Sequence, residues 1–327
     1  MHPPLAPQAP LFSVVIPTYN RSGTIGDALR SLAAQVCRSF EAVIVDDGSE
    51  DFENLQSVAE AFRHELDIRI VRHETQRNGA AARNTGIHAA LGSYIAFLDS
   101  DDWWDRAKLE RCRQTLEENR WPKDWFLYSR ARMVDSNGVE VDVLHARAIH
   151  ASETLGEYLF CGGTDIPTST IVCSREFALR IRFDERFVRH QDYDFCLRAA
   201  AAGARFEFIP EILTNWRMHT VTAGERARNV RVGETPSYCK FWLSELQPYL
   251  NRNAYFGYRI RVLARRCSQN GEHQAYYTEV LRGFLHIGWK YKLRYVRRAA
   301  LMCVRKLTAL PHRLRRGIDA SIAMRPR

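Results

Sequence analysis

Asp99-Ser100-Asp101-Asp102 places three carboxylates within four positions, followed by Trp103-Trp104. Anions this close repel one another unless a cation sits among them. Their hard oxygens suit Mg²⁺ or Mn²⁺, ions that in turn favour a phosphate-bearing ligand. The competing reading is that one aspartate caps a helix starting near Arg106 and the others are solvated. Asp46-Asp47-Gly48-Ser49 is a second acidic cluster with the composition of a turn. A carboxylate there could also accept hydrogen bonds from a nucleobase or ribose. Pro17-Thr18-Tyr19-Asn20 is a third polar cluster.

These clusters need elements that bring them together. Phe12 to Ile16, Glu41 to Val45, Ile68 to Val71 and Tyr94 to Leu98 are short apolar runs of buried-strand type. Between them lie helical stripes: Ile25, Leu29, Leu32 and Val36, with Thr24 as N-cap; Phe52, Leu55, Val58, Phe62 and Leu66; and a helix around Ala80 to Leu91. Strands alternating with helices predict a mostly parallel sheet, whose ligands gather at the carboxyl ends of its strands. All three polar clusters follow such ends, which favours metal and nucleotide binding over capping. Further along, Trp125–Tyr128, Ser169–Cys173 and Arg205–Ile209 read as strands, and Asp192–Ala202 as a helix closed by Gly203. Beyond about Thr222 the pattern is helical.

Val15-Ile-Pro-Thr-Tyr-Asn20, Val45-Asp-Asp-Gly-Ser49, Ala82-Arg-Asn-Thr-Gly86, Phe97-Leu-Asp-Ser-Asp-Asp102 and Gln191-Asp-Tyr-Asp-Phe195 occur in this order. Over about Phe12 to His219 they resemble the ordered motifs of the family 2 glycosyltransferases, inverting nucleotide-sugar-dependent enzymes. The resemblance implies an α/β GT-A fold, a Rossmann-like, mostly parallel mixed sheet flanked by helices. Residues 1–10 are then a disordered Pro-rich N-terminus, 11–221 the catalytic domain and 222–327 a helical basic extension.

Carried over residue by residue, the resemblance has Thr18 and Tyr19 flank the base and Asp46 hydrogen-bond the pyrimidine, with Pro17 and Asn20 among the donor-binding residues. Asp47 and Arg83 lie along the nucleotide and Asp99 faces the ribose side, with Ser100 a further donor-binding residue. Asp101 and Asp102 hold Mg²⁺ or Mn²⁺ on the diphosphate, either one being the direct ligand, and His219 is a further candidate there. Asp192 is the general base that takes the acceptor hydroxyl's proton; its alternative is helix capping. Many members have Glu before this aspartate, where this chain has Gln191. Gly162-Gly163-Thr164 and Pro167-Thr168-Ser169-Thr170 line an acceptor pocket or form a strand with its entry turn.

The implied activity is transfer of a sugar, with UDP as the expected carrier, to a hydroxyl of a glycan or lipid-linked acceptor in cell-envelope polysaccharide synthesis. A nucleotidyltransferase would show a glycine-rich basic loop after the first strand, where Asn20-Arg21-Ser22-Gly23-Thr24 has one Arg and one Gly. A non-catalytic nucleotide-binding scaffold acting through its tail is the other rival, and the intact Asp101, Asp102 and Asp192 argue against it.

Charge is uneven. Leu281 to Arg327 holds 13 Lys/Arg and one acid, whereas the whole 327-residue chain is +9, so the body is slightly acidic. On this tail Val296, Ala299, Ala300, Cys303, Leu307 and Leu310 share a helical face opposite Arg294, Arg298 and Arg305, with Trp289, Tyr291 and Tyr295 as interfacial aromatics. The expectation is a peripheral enzyme on the inner, anionic face of the cytoplasmic membrane, against the alternatives of a tail packed on the body or bound to nucleic acid. No nucleic-acid-binding motif accompanies the charge, so no nucleic-acid partner is expected. Met1 to Pro10 lacks a signal-peptide pattern, and the eight cysteines form no CxxC pair. Buried reduced thiols in a cytoplasmic protein are expected.

Overall fold

The computed structural model describes residues 9–144, 146–218 and 233–296. Every residue of β1 (Phe12–Thr18) and β2 (Phe40–Asp46) is buried, as near-continuous β-branched runs require of strands covered on both faces. With β3 (Ile68–Arg72) and β4 (Tyr94–Phe97) they form a parallel half-sheet in the order β3-β2-β1-β4. Antiparallel β8 (Val172–Ser174) joins β4 to β6 (Trp125–Val134), and β9 (Arg205–Arg217) runs parallel to β6. The edge strands are β5 (Trp103–Trp104) on β9 and β7 (Glu140–Val143) on β6. Parallel pairings hold most of the paired residues.

The sheet is flanked by α1 (Ser22–Ala33), α2 (Phe52–Glu60), α3 (Gly79–Ala89), α4 (Lys108–Glu118), α5 (Leu155–Phe160), α6 (Arg175–Ile181) and α7 (Gln191–Ala201). Gly86 of α3 lies so close to β1 that a Cβ there would stand 2.3 Å from Val15 Cγ1. This contact presses α3, and Arg83 on it, against the carboxyl end of the sheet.

Several boundaries differ from the sequence expectations. Helix α1 starts at Ser22, so Thr24 lies inside it with Oγ1 on the Arg21 carbonyl; it ends at Ala33, which leaves Val36 exposed. Ser169 and Thr170 lie in a 3₁₀ turn (Thr168–Thr170) rather than a strand. Strand β9 continues past Pro210, because a register shift beside Ser129 and Arg130 absorbs the residue that cannot donate.

The helical region does not stand apart. Helix α8 (Pro236–Leu246), α9 (Arg252–Tyr258), a π-helical turn (Arg259–Leu263), α10 (Ala264–Gln269) and α11 (His273–His286) follow in order. Trp242, Tyr258, Leu263 and Cys267 share one continuous core with Val15, Phe97, Phe126, Tyr158 and Phe195 of the α/β body. All seven cysteines among the described residues are free and buried. No described helix is long and apolar enough to cross a membrane.

Candidate active site

The loops after β1, β2 and β4 meet at one rim. Thr18 and Asp46 are register partners at the ends of β1 and β2, and both are buried. Asp46 Oδ2 accepts from the Ser49 amide at 3.2 Å and lies 3.3 Å from Arg72 Nε. Asp46 Oδ1 and Thr18 Oγ1 are buried with no partner. Two adjacent orphaned oxygens at one strand end are costly unless a ligand satisfies them.

Asp47 is differently engaged. Its carboxylate accepts from the amides of Arg77 (3.0 Å) and Asn78 (2.8 Å) and pairs with His73 Nδ1 (2.7 Å). It therefore folds the loop leading to α3, whose N-terminus the Asn78 side chain caps. Gly48, at φ +78°, packs so closely on this loop that a Cβ would stand 2.9 Å from Gln76 N. Exposed Asn20 likewise serves the loops, its Oδ1 taking the Glu50 amide at 2.8 Å and its own amide donating to Ser49 Oγ at 2.9 Å. Pro17 is buried in β1, and Tyr19 is half-buried beside the orphaned pair.

The acidic loop divides its three aspartates. Asp99 and Asp101 are partly exposed, with Arg83 Nη2 2.5 Å from Asp99 Oδ1 and Arg21 3.7 Å from Asp101 Oδ2. Asp102 points inward: Ser169 Oγ donates to its Oδ2 at 2.6 Å and the Arg217 amide to its Oδ1 at 2.9 Å. Burial, reinforced by the Asp101 and Asp99 charges, holds its carboxyl well above the usual range. Ser100 is buried beside it. His219 lies outside the described residues.

A cleft of about 410 Å³ opens from this loop to Asp192. Arg83 spans its near wall, donating to Asp99 on one side and to Gln191 Oε1 at 2.7 Å on the other. Gln191, where an acid was the common alternative, is thus the neutral acceptor this guanidinium uses. Asp192 sits in the first turn of α7, with Oδ1 held by the Tyr193 amide at 2.9 Å. Burial pushes its carboxyl up to about 6, the Tyr193 hydrogen bond opposes this, and the Asp165 charge adds to it. Such an acid is ionised near neutrality yet a far better proton acceptor than a free aspartate.

Pro167 and Thr168 line the cleft, while Ser169 and Thr170 are turned into the protein. Sequence reasoning missed Asp165, Arg189, His190, Trp216 and the arginines of the helical region, Arg261, Arg265 and Arg266. Arg261 donates to Asp165 Oδ2 at 2.8 Å, and Tyr193 Oη to Asp165 Oδ1 at 2.5 Å. The only sequence signal was the i, i+4 and i+5 spacing of the three arginines, which specifies one helix side but not what it faces.

Comparison with known proteins agrees with this architecture. Residues 13–138 match the family described as Glycosyl transferase family 2. The amylovoran biosynthesis glycosyltransferase AmsB of Erwinia amylovora is 40% identical over 265 residues, covering 80% of this chain and 86% of that protein. The chain belongs to glycosyltransferase family 2. Among solved structures, S. aureus TarS 1-349 in complex with UDP-GlcNAc superposes with a TM-score of 0.56 at 20% identity, over 86% of this chain and 82% of that one. The mannosyltransferase PcManGT of Pyrobaculum calidifontis, in complex with GDP-Man and Mn²⁺, gives 0.57 at 16% identity, over 90% and 81%. These likenesses establish the GT-A fold.

Proposed function

We propose that the chain transfers a sugar from a UDP-sugar to a hydroxyl of a glycan or lipid-linked acceptor, with inversion, in assembly of an envelope polysaccharide. The observation that carries this reading is Asp192, a carboxylate of raised pKa set in the wall of a cleft whose other end is the Asp99–Asp101 loop. The amylovoran relative supports the polysaccharide context.

Uracil is the base that suits the rim. Asp46 has one oxygen engaged by Arg72 and Ser49 and one left over, which matches the single N–H of a pyrimidine edge better than the paired donors of guanine. Thr18 Oγ1 can donate to the neighbouring carbonyl of that edge.

Asp101 would hold a divalent cation, with Asp99 beside it and Asp102 bracing the loop from inside. Among the described residues no three acidic, His or Cys side chains form a closed cage. One or two partly exposed carboxylates completed by substrate phosphates are the usual complement for Mg²⁺ or Mn²⁺. When bound, such an ion neutralises charge on the departing diphosphate.

The chain's own chemistry is proton removal and orientation. With Oδ1 fixed by the Tyr193 amide, Asp192 Oδ2 takes the proton as the acceptor oxygen bonds to the anomeric carbon and the bond to UDP breaks. Arg83 ties the donor loop to the first turn of α7, so the two reacting partners are registered by one side chain.

The helical region would seat the enzyme on an anionic membrane face. Leu281 and Leu285 on α11, and Trp289, Leu293 and Val296 after the extended break at Ile287, are all exposed, with Lys290, Lys292 and Arg294 near them. The rest of the tail face read from the sequence, Ala299 to Leu310, lies outside the described residues. Tyr291 and Tyr295, expected at the interface, instead pack inward against Cys161 and Phe160. Sedimentation with phosphatidylglycerol vesicles, and not with phosphatidylcholine vesicles, checks this. The catalytic reading is tested by screening nucleotide sugars with Mn²⁺ for thermal stabilisation and UDP release. Stabilisation by UDP-linked sugars, with release abolished in Asp192→Asn, is expected; no response to any nucleotide sugar overturns it.

A further inference from the structure

Beyond Asp192, on the side away from Asp99, the cleft wall becomes strongly basic. Arg189 and Arg266 converge on a single oxygen, Glu234 Oε1, at 3.3 and 3.7 Å. Arg265, one residue away and exposed, also lines the cleft and has no hydrogen bond or ion pair among the described residues. His190 lines the same cleft, and its Nε2 is buried without a hydrogen-bond partner. Two guanidiniums share one carboxylate oxygen, and Arg265 adds a third on the same cleft wall that is unpaired among the described residues, a surplus of positive charge there.

The position separates this group from the donor end. The charges acting on Asp192 are those of Asp165, Arg83 and Asp99, whereas those acting on His190 are Arg189 and Arg266. In an inverting displacement the acceptor enters opposite the leaving diphosphate, and the diphosphate belongs with the Asp99–Asp101 loop. We propose that Arg189, Arg265 and Arg266 form an acceptor subsite for an anionic group, a carboxylate or phosphate carried near the attacking hydroxyl. Planar guanidiniums bind both groups through paired N–H donors, and both sources present the same two-oxygen edge. The assignment rests on the donor reading above for its direction.

The test uses the full chain saturated with UDP and Mn²⁺, titrated by calorimetry with methyl glucuronide, octyl phosphate and neutral methyl glucoside. At least one anionic probe should bind tenfold or more tighter than the glucoside, and Arg265→Glu should abolish that preference with UDP affinity unchanged. Preference for the glucuronide identifies an acidic sugar as the acceptor, and preference for octyl phosphate a phosphorylated carrier. Equal binding of all three probes overturns the proposal. So does a parallel loss of UDP affinity in Arg265→Glu, which would assign the arginines to the donor. If UDP itself fails to bind, the donor reading falls, and the Arg265-dependent preference measured without UDP still decides the subsite. Exposed Arg265 can be changed without disturbing the core.

Discussion

Replacing Asp192 by asparagine should stabilise the protein above pH 6 while removing most of its transferase rate. The carboxyl is held at about 6 against 3.8 when free, so between those values the folded chain binds more protons than the unfolded chain. Stability attributable to this group is therefore highest below pH 3.8 and is lost as pH rises to about 6. A gap of about two pH units corresponds to ~3 kcal/mol, which water in the cleft reduces toward ~1.5 kcal/mol. Asparagine has no such cost, and its Oδ1 can still accept from the Tyr193 amide. Urea unfolding at pH 4 and pH 7.5 should show the two proteins nearly equal at the lower pH and the variant more stable at the higher. The wild-type kcat/KM should climb about tenfold per pH unit below 6 and level off above, and the variant should lose roughly 10²–10⁴-fold in kcat. A variant less stable than wild type at pH 7.5, or a rate profile with its midpoint near 4, would refute the placement of this acid.

The neighbours of Asp192 make further tests. Arg83 lowers the Asp192 pKa, so Arg83→Gln should move the midpoint of the residual pH–rate profile above 6 as well as slow transfer. Ser169→Ala leaves Asp102 Oδ2 and the Asp99 amide without their partner. It should cost about 1–3 kcal/mol in urea unfolding and raise the Mn²⁺ concentration needed for half-maximal rate. Thr18→Val preserves shape and removes an oxygen that bonds nothing in the protein, so the fold should hold while UDP affinity falls about threefold to tenfold by calorimetry.

The parallel half of the sheet was legible because its strands are buried on both faces and read as continuous apolar runs, with polar clusters at their ends. Which carboxylates face the cleft was not legible. Asp46 and Asp47 are adjacent, yet alternation along the chain sends one to the strand end and the other into the loop that carries His73 and Asn78. Asp101 and Asp102 are divided in the same way by Ser169, a residue 67 positions from Asp102. Arg261, Arg265 and Arg266 were hidden for a further reason. They sit on a π-helical turn and the helix after it, where one extra residue per turn rotates the face, and local spacing cannot specify what lies across a tertiary contact.

That last contact bears on where the catalytic unit ends. A fragment stopping at residue 221 would retain every motif quoted above, and on sequence grounds it looks like a whole domain. In the structure it would lose Arg261, whose guanidinium donates to Asp165 and to the carbonyls of Leu159 and Thr164. Asp165 would keep only Tyr193 Oη and become a half-paired anion beside the base. The fragment would also uncover the aromatic packing of Phe160 and Tyr193 against Trp242, and of His190 against Tyr258. Burying an aromatic of this size contributes about 2–3 kcal/mol, so losing Trp242 and Tyr258 together removes a large part of an ordinary domain's stability. The 1–221 fragment is therefore expected to unfold without a cooperative transition and to bind 1-anilinonaphthalene-8-sulfonate. A chain ending at residue 296 should melt as one unit. A fragment 1–221 that melts sharply and retains UDP binding would show that the helices only decorate the site rather than complete it.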